Sequence, residues 1–118
     1  MTNNKITLGQ IASARSGDKG NHANIAVIAR RAAGYRYLQQ VLSAERVGEF
    51  FSDLGATGVE RFELPKLGAL NFMLFNSLAG GASRSLRIDT QGKLLGTAIL
   101  QLPIPLPDNL ADMVTADV

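Results

Sequence analysis

Arg15-Ser-Gly-Asp-Lys-Gly-Asn-His-Ala-Asn24 gathers, within ten residues, both signs of charge, the only histidine of the chain, two glycines and two asparagines. Gly17 and Gly20 let backbone N–H groups turn toward an anion, and Arg15 and Lys19 supply charge-assisted bonds to it. Ser16, Asn21 and Asn24 complete the ligand-binding set read from this stretch. It is not a Walker loop, because Gly-x-x-x-x-Gly-Lys-Ser/Thr is missing. His22 is a candidate general acid or base, oriented by Asp18 and assisted by Lys19. No nucleophile stands at a spacing that would pair with it, and a lone histidine beside a strand also serves as a hydrogen-bonded structural residue. The whole stretch has a plainer reading too: a connecting loop in which Asp18 pairs with Arg15 or Lys19 and the asparagines satisfy backbone groups.

A second polar run, Gly80-Gly-Ala-Ser-Arg-Ser-Leu-Arg87, offers Ser83, Arg84 and Arg87 for a phosphate or carboxylate, with two glycines permitting close backbone approach. Its plainer reading is a helix stop followed by an exposed strand face. Convergence of the two runs on one anion-binding pocket is the expectation. One histidine, no cysteine and scattered carboxylates give no metal-ligand set, and no cofactor motif is expected.

The chain of 118 residues is long enough to bury its own core, and its 46% apolar and 19% charged content is ordinary for a globular domain. Positions 1–102 hold all 12 bases and 7 of the 10 acids, a balance of 12 − 7 = +5. Eight of the bases are arginine, suited to bidentate grip on carboxylate or phosphate. A basic body favours an anionic partner or ligand. No apolar run approaches the roughly 20 residues of a membrane-spanning helix, so no membrane partner is expected. Met1-Thr-Asn-Asn-Lys5 leads into strand-like sequence with no apolar signal segment, which together with the absent cysteines gives a cytoplasmic expectation. Nucleic acid is not expected either, since the strands lack base-stacking aromatics.

The elements that must position these residues follow from periodicity. Lys5–Ala12 reads as a strand that slips at Gly9-Gln10-Ile11, and Ala23–Arg30 as a central strand apolar on both faces. Tyr35, Leu38 and Leu42 predict a helix, and Ser43 caps a second one carrying Val47, Phe50, Phe51 and Leu54, with Gly55 as its stop. Gly58–Leu64 alternates, with Phe62 and Leu64 assigned inward and Arg61 and Glu63 outward as a solvated face shared with Glu60. Leu67, Leu70, Leu74 and Leu78 predict a helix over Lys66–Ala79, placing Asn71 on it. Ser83–Asp89 and Lys93–Leu102 form the expected hairpin, turning at Thr90-Gln91-Gly92. Pro103-Ile-Pro-Leu-Pro107 is expected to sustain neither ladder nor helix, so residues 1–102 make one domain and 103–118 a Pro-rich acidic tail. The order β-β-α-β-α-β-β packs as an α+β, two-layer sandwich, ferredoxin-like in the broad sense, with a mixed or antiparallel sheet and helices on one face. A second subunit is the simplest cover for the open face.

Three runs together resemble a known family: Arg15 to Arg30; Val59-Glu-Arg-Phe-Glu-Leu-Pro65 with Ala69-Leu-Asn-Phe72; and Gly80 to Arg87 with Gly92-Lys93. They are similar to the small ferredoxin-fold domain of AtuA-like proteins, the acyclic terpene utilisation family. Ala79 stands where that family usually shows glycine, and Lys66 where asparagine commonly follows Leu-Pro. The resemblance implies a domain that is fused behind a larger one or encoded as a separate small subunit, and this chain is similar to the separate form. It implies a larger AtuA-like partner and help in binding an anionic, acyl-CoA-type substrate in terpenoid or acyl breakdown, and the open sheet face adds the expectation of a homo-oligomer. The alternative is a stand-alone small enzyme in which Asp18, Lys19 and His22 move protons.

Overall fold

The computed structural model describes residues 4–19, 22–52, 56–76 and 95–114, with Asp18 and Lys19 followed by their backbone. Six strands are present among these residues: β1 (Lys5–Thr7), β2 (Ala12–Lys19), β3 (His22–Ala29), β4 (Gly58–Leu64), β5 (Ala69–Phe75) and β6 (Pro103–Pro105). The helices are α1 (Ala32–Val41), α2 (Ala44–Phe50) and a short α3 over residues 95–99. Four strands form an antiparallel sheet in the order β2-β3-β5-β4, and β1 pairs with β6 in a separate two-stranded ribbon. The architecture is α+β and ferredoxin-like, with the helices on one face of the sheet.

That face is dictated by the strand period. Ala23, Ile25 and Val27 of β3 are fully buried, as are Leu70, Phe72 and Leu74 of β5, and register sets Ile25 opposite Phe72. They pack with Leu38, Leu42 and Val47 from the helices and with Leu8, Ile11 and Ile99 from the flanking segments. Ser43 opens α2 as expected, its hydroxyl accepting the Arg46 N–H at 3.0 Å, with Glu45 in the first turn where the helix dipole favours an acid. Leu54 and Gly55 lie outside the described residues.

Four expectations are corrected. The slip at Gly9–Ile11 is a full break: Leu8–Gln10 form a 3-10 turn, and the polar stretch beginning at Arg15 continues as strand β2 rather than as a loop. The helix expected over Lys66–Ala79 is a 3-10 turn (Pro65–Leu67) followed by strand β5. Gly68 between them adopts φ 62, the left-handed region, which stops any helix there. Leu70, Phe72 and Leu74 recur at two as readily as the leucines recur at three and four, and pairing on both sides, to β3 and β4, selects the strand. Residues 95–99 of the expected second hairpin strand are helical, and the hairpin's remainder at 83–94 lies outside the described residues. Finally, Pro103–Pro105 does sustain a ladder. Leu8 and Leu106 donate across it to Leu102 O at 2.9 Å and Asn4 O at 2.8 Å. Prolines at alternate positions match the two-residue period of an antiparallel ladder, so the N–H groups they lack are those that would point away. Ile104 and Met113 beyond it belong to the buried core.

The facing of β4 is also opposite to expectation. Arg61 lies across from Phe72 and so on the helix side, while Phe62 lies across from Asn71 on the open side, 44% exposed. Arg61 stays there because its guanidinium donates to the carbonyls of Gln39 at 3.1 Å and Leu42 at 3.0 Å, closing the C-terminal end of α1. It also bonds Glu63 of its own strand at 2.9 Å.

Candidate functional site

β2 and β3 pair from Ala12↔Ala29 to Lys19↔His22, so the polar stretch forms the two strands at one end of a hairpin. Alternation divides its residues between two faces. Arg15, opposite Ala26, is exposed on the open face, where Asn24 lies opposite Gly17 one diagonal step away. Ser16, opposite Ile25, lies on the helix side. There its Oγ accepts the Gly96 N–H at 2.7 Å. The approach is tight: a Cβ on residue 96 would stand 3.1 Å from the Arg15 carbonyl carbon, the Ser16 nitrogen and the Ser16 Oγ, so a larger residue there requires its neighbours to shift.

His22 sits at the end of β3 on the open side, its ring edge-on to Phe75 with centroids 5.4 Å apart. Its Nδ1 accepts the backbone N–H of Asn76 at 2.9 Å. An accepting Nδ1 belongs to the neutral ring with its proton on Nε2. The lone pair that a general base would use at Nδ1 is therefore engaged, and Nε2 is the nitrogen left for other contacts. Asn76 itself has φ 62, a conformation that asparagine tolerates better than most residues, and its Nδ2 donates to Thr57 Oγ1 at 2.9 Å.

Residues 77–94 thus leave the described structure beside His22 and rejoin it beside Ser16, both on the β2–β3 hairpin. The register places those two anchors three positions apart along β2, about 10 Å. Ser83, Arg84 and Arg87 fall in that segment and, with Asn21, lie outside the described residues. No helix dipole opposes an anion at its start, since β5, not a helix, runs into it. Sequence reasoning missed Asn76 and Gly96 as anchors. The signal for Asn76 was an asparagine directly after an apolar strand; Gly96, inside an apolar run, carried none.

Asn24 Oδ1 is shielded from solvent and has no hydrogen-bond partner. Among the described residues, one cleft of about 280 Å³ is lined by Gly48, Phe51 and Val59 between α2 and β4, and one of about 370 Å³ lies along Glu63–Leu67. At the polar end of the hairpin Arg15 is exposed, whereas Ser16, His22 and Asn24 are half-buried.

The model of the AtuA ferredoxin-like domain matches residues 6–105. The chain belongs to this family. Residues 6–105 of the AtuA ferredoxin-like domain take in every strand of the four-stranded sheet and both anchors of the polar end. Comparison with curated proteins and with solved structures returned no match. Among the described residues of this AtuA ferredoxin-like domain, no helix is long and apolar enough to cross a membrane.

Proposed function

We propose that this AtuA ferredoxin-like domain is a cytoplasmic accessory subunit that packs on a larger AtuA-like partner and presents its polar hairpin end to an anionic, acyl-CoA-type substrate. The observation that supports the reading is that Asn76 bonds His22 and Gly96 bonds Ser16, both on the hairpin that carries the exposed Arg15. Asn76 and Gly96 flank the second arginine-bearing run in sequence, and each is held to a strand of the first run. Arg15, Arg84 and Arg87 supply charge for phosphate or carboxylate groups, and Asn21, Asn24 and Ser83 supply hydrogen-bonding groups, while Ser16, on the helix side with its Oγ held by the Gly96 N–H, positions the strand instead. Proton transfer by Asp18, Lys19 and His22 in a stand-alone enzyme is the weaker reading, because Asn76 already holds the Nδ1 of His22.

The test is calorimetric titration of CoA and a short acyl-CoA into the chain alone, a larger AtuA-like chain alone, and the two mixed. The reading expects a complex of the two chains that binds acyl-CoA more tightly than either does separately, with Arg15→Gln weakening that binding about tenfold, the effect of one lost charge-assisted contact of about 1.4 kcal/mol. Failure of the two chains to associate, or turnover of acyl-CoA by the pure chain, overturns it.

A further inference from the structure

We infer that the face of the sheet opposite the helices, open among the described residues, is the surface on which two copies of this chain stack. Register assigns that face residue by residue. Arg15, Ala26, Asn71 and Phe62 lie at one level across the four strands, and Gly17, Asn24, Met73 and Glu60 at the next. Ser13, Ile28, Ala69 and Leu64 lie at the level on the other side. Ala26, Ile28, Phe62, Leu64, Met73 and Phe75 belong to no part of the buried core, and Phe62 and Leu64 are 44% and 39% exposed.

The charges on this face select a second copy as the occupant. The exposed Arg15 stands on one edge strand and the exposed Glu60 on the opposite edge strand of the same face. A two-fold axis parallel to the strands, running midway between β3 and β5, lays β2 of each copy over β4 of the other. Each Arg15 then faces Phe62 of the other copy at its own level and Glu60 one diagonal step along, within reach of an arginine side chain. Both charged pairs form at once, as an isologous contact requires. The remaining donors of the five-donor guanidinium stay available to an anion, so stacking and the proposed ligand role are compatible.

The size of the face sets the strength. Four strands about 4.8 Å apart and about seven residues at about 3.3 Å each give a footprint of about 19 by 23 Å. Two such footprints sum to about 900 Å² before side-chain relief is counted, just under the roughly 1,000 Å² of a stable specific interface, so the association is expected to be weak and reversible.

Sedimentation velocity of the full chain from about 1 to about 200 μM reads this directly, because a weak reversible association shows as mass that rises with concentration. The mass is expected to rise with concentration from 12.6 kDa toward twice that, 2 × 12.6 = 25.2 kDa. Arg15→Glu and Glu60→Arg singly are each expected to weaken self-association at least about tenfold, and the double reversal to restore it. Restoration shows at once that the single variants fold. Phe62→Gln, which leaves the charges intact, is expected to weaken it as well. A monomer at every concentration overturns the inference and leaves residues 77–94 or the larger partner as the cover. Single reversals that associate like the unaltered chain, or a double reversal that fails to recover, overturn it equally. Acyl-CoA binding by the mixed, unaltered chains is a separate readout, so failure of the stacking inference and failure of the proposed ligand role are distinguishable.

Discussion

Gly96 offers the sharpest test of how the polar end is built. Residues 95–99 are helical, so Gly96→Ala considered locally gains up to about 1 kcal/mol of helix propensity. The new Cβ, however, stands 3.1 Å from the Arg15 carbonyl carbon and from the nitrogen and Oγ of Ser16, against an ordinary separation of about 3.5–4.0 Å. Two of those three atoms are backbone of β2, which cannot yield without shifting its whole ladder with β3. Overpacking of this kind costs about 1–3 kcal/mol, and loosening the Gly96 N–H···Oγ bond adds about 1. The net expectation is a loss of about 2 kcal/mol. With an unfolding entropy of about 2.1 cal/mol/K per residue, that lowers Tm by about 8 °C for a chain of 118 residues. Ser16→Ala removes the acceptor and leaves a buried N–H unmet, about 1–2 kcal/mol. It also clears one of the three close atoms, so the double variant is expected to lose about 1 kcal/mol less than the sum of the singles. Gly17→Ala, one residue along the same strand with nothing within 4 Å of its Cβ position, is the control and is expected to stay within about 0.5 kcal/mol. Thermal and urea denaturation followed by circular dichroism measure all four. A Gly96→Ala variant that melts at or above the unaltered temperature refutes the close approach and, with it, one of the two anchors.

Three further outcomes follow from the fold. Arg61→Met removes two charge-assisted bonds to the end of α1 and is expected to cost about 2 kcal/mol in urea unfolding. Glu63→Gln, at an ion pair whose carboxylate side chain is 43% exposed, is expected to cost about 0.5 kcal/mol or less, so equal losses for the two would contradict the capping role of Arg61. Ser43→Ala takes away the N-cap of α2 and is expected to cost about 1 kcal/mol, measurable in the same assay, whereas Ser43→Asp should retain most of the stability. Burial raises the Tyr37 phenol above its usual range, with Asp108 adding to the rise and Arg46 opposing it. The folded state therefore holds this proton more tightly than the unfolded chain. The resulting stability is fully present below the ordinary tyrosine value of about 10 and is lost as pH rises through the folded value. Stability measured from neutral to strongly alkaline pH should fall less steeply in Tyr37→Phe, and an unchanged slope would count against a desolvated phenol.

Local chemistry was legible wherever one short stretch held the whole signal. The cap at Ser43 needs only its own hydroxyl and the N–H three residues on, and the alternation of β4 needs only its own seven residues. Which face of β4 is buried was not legible, because alternation fixes a period and not a direction. The direction came from Arg61 finding the carbonyls of Gln39 and Leu42, about twenty residues away. The leucines of 67–78 failed for a related reason: a short apolar run fits two periods, and the pairing partners β3 and β4 decide between them. The prolines of 103–107 misled because their own alternation coincides with that of the ladder they were expected to break.

The sequence by itself determined the class of the protein: an α+β domain with an apolar central strand, basic in body, marked by two polar glycine-bearing runs. Those properties are additive over neighbouring residues, and a linear reading captures them. Only the tertiary structure decided that Asn76 closes on His22 and Gly96 on Ser16, two bonds to the strands of the first run from residues far along the chain. Contacts between residues 54 and 80 positions apart exist because a buried ladder fixes where the chain ends come to lie, and no local pattern encodes that meeting.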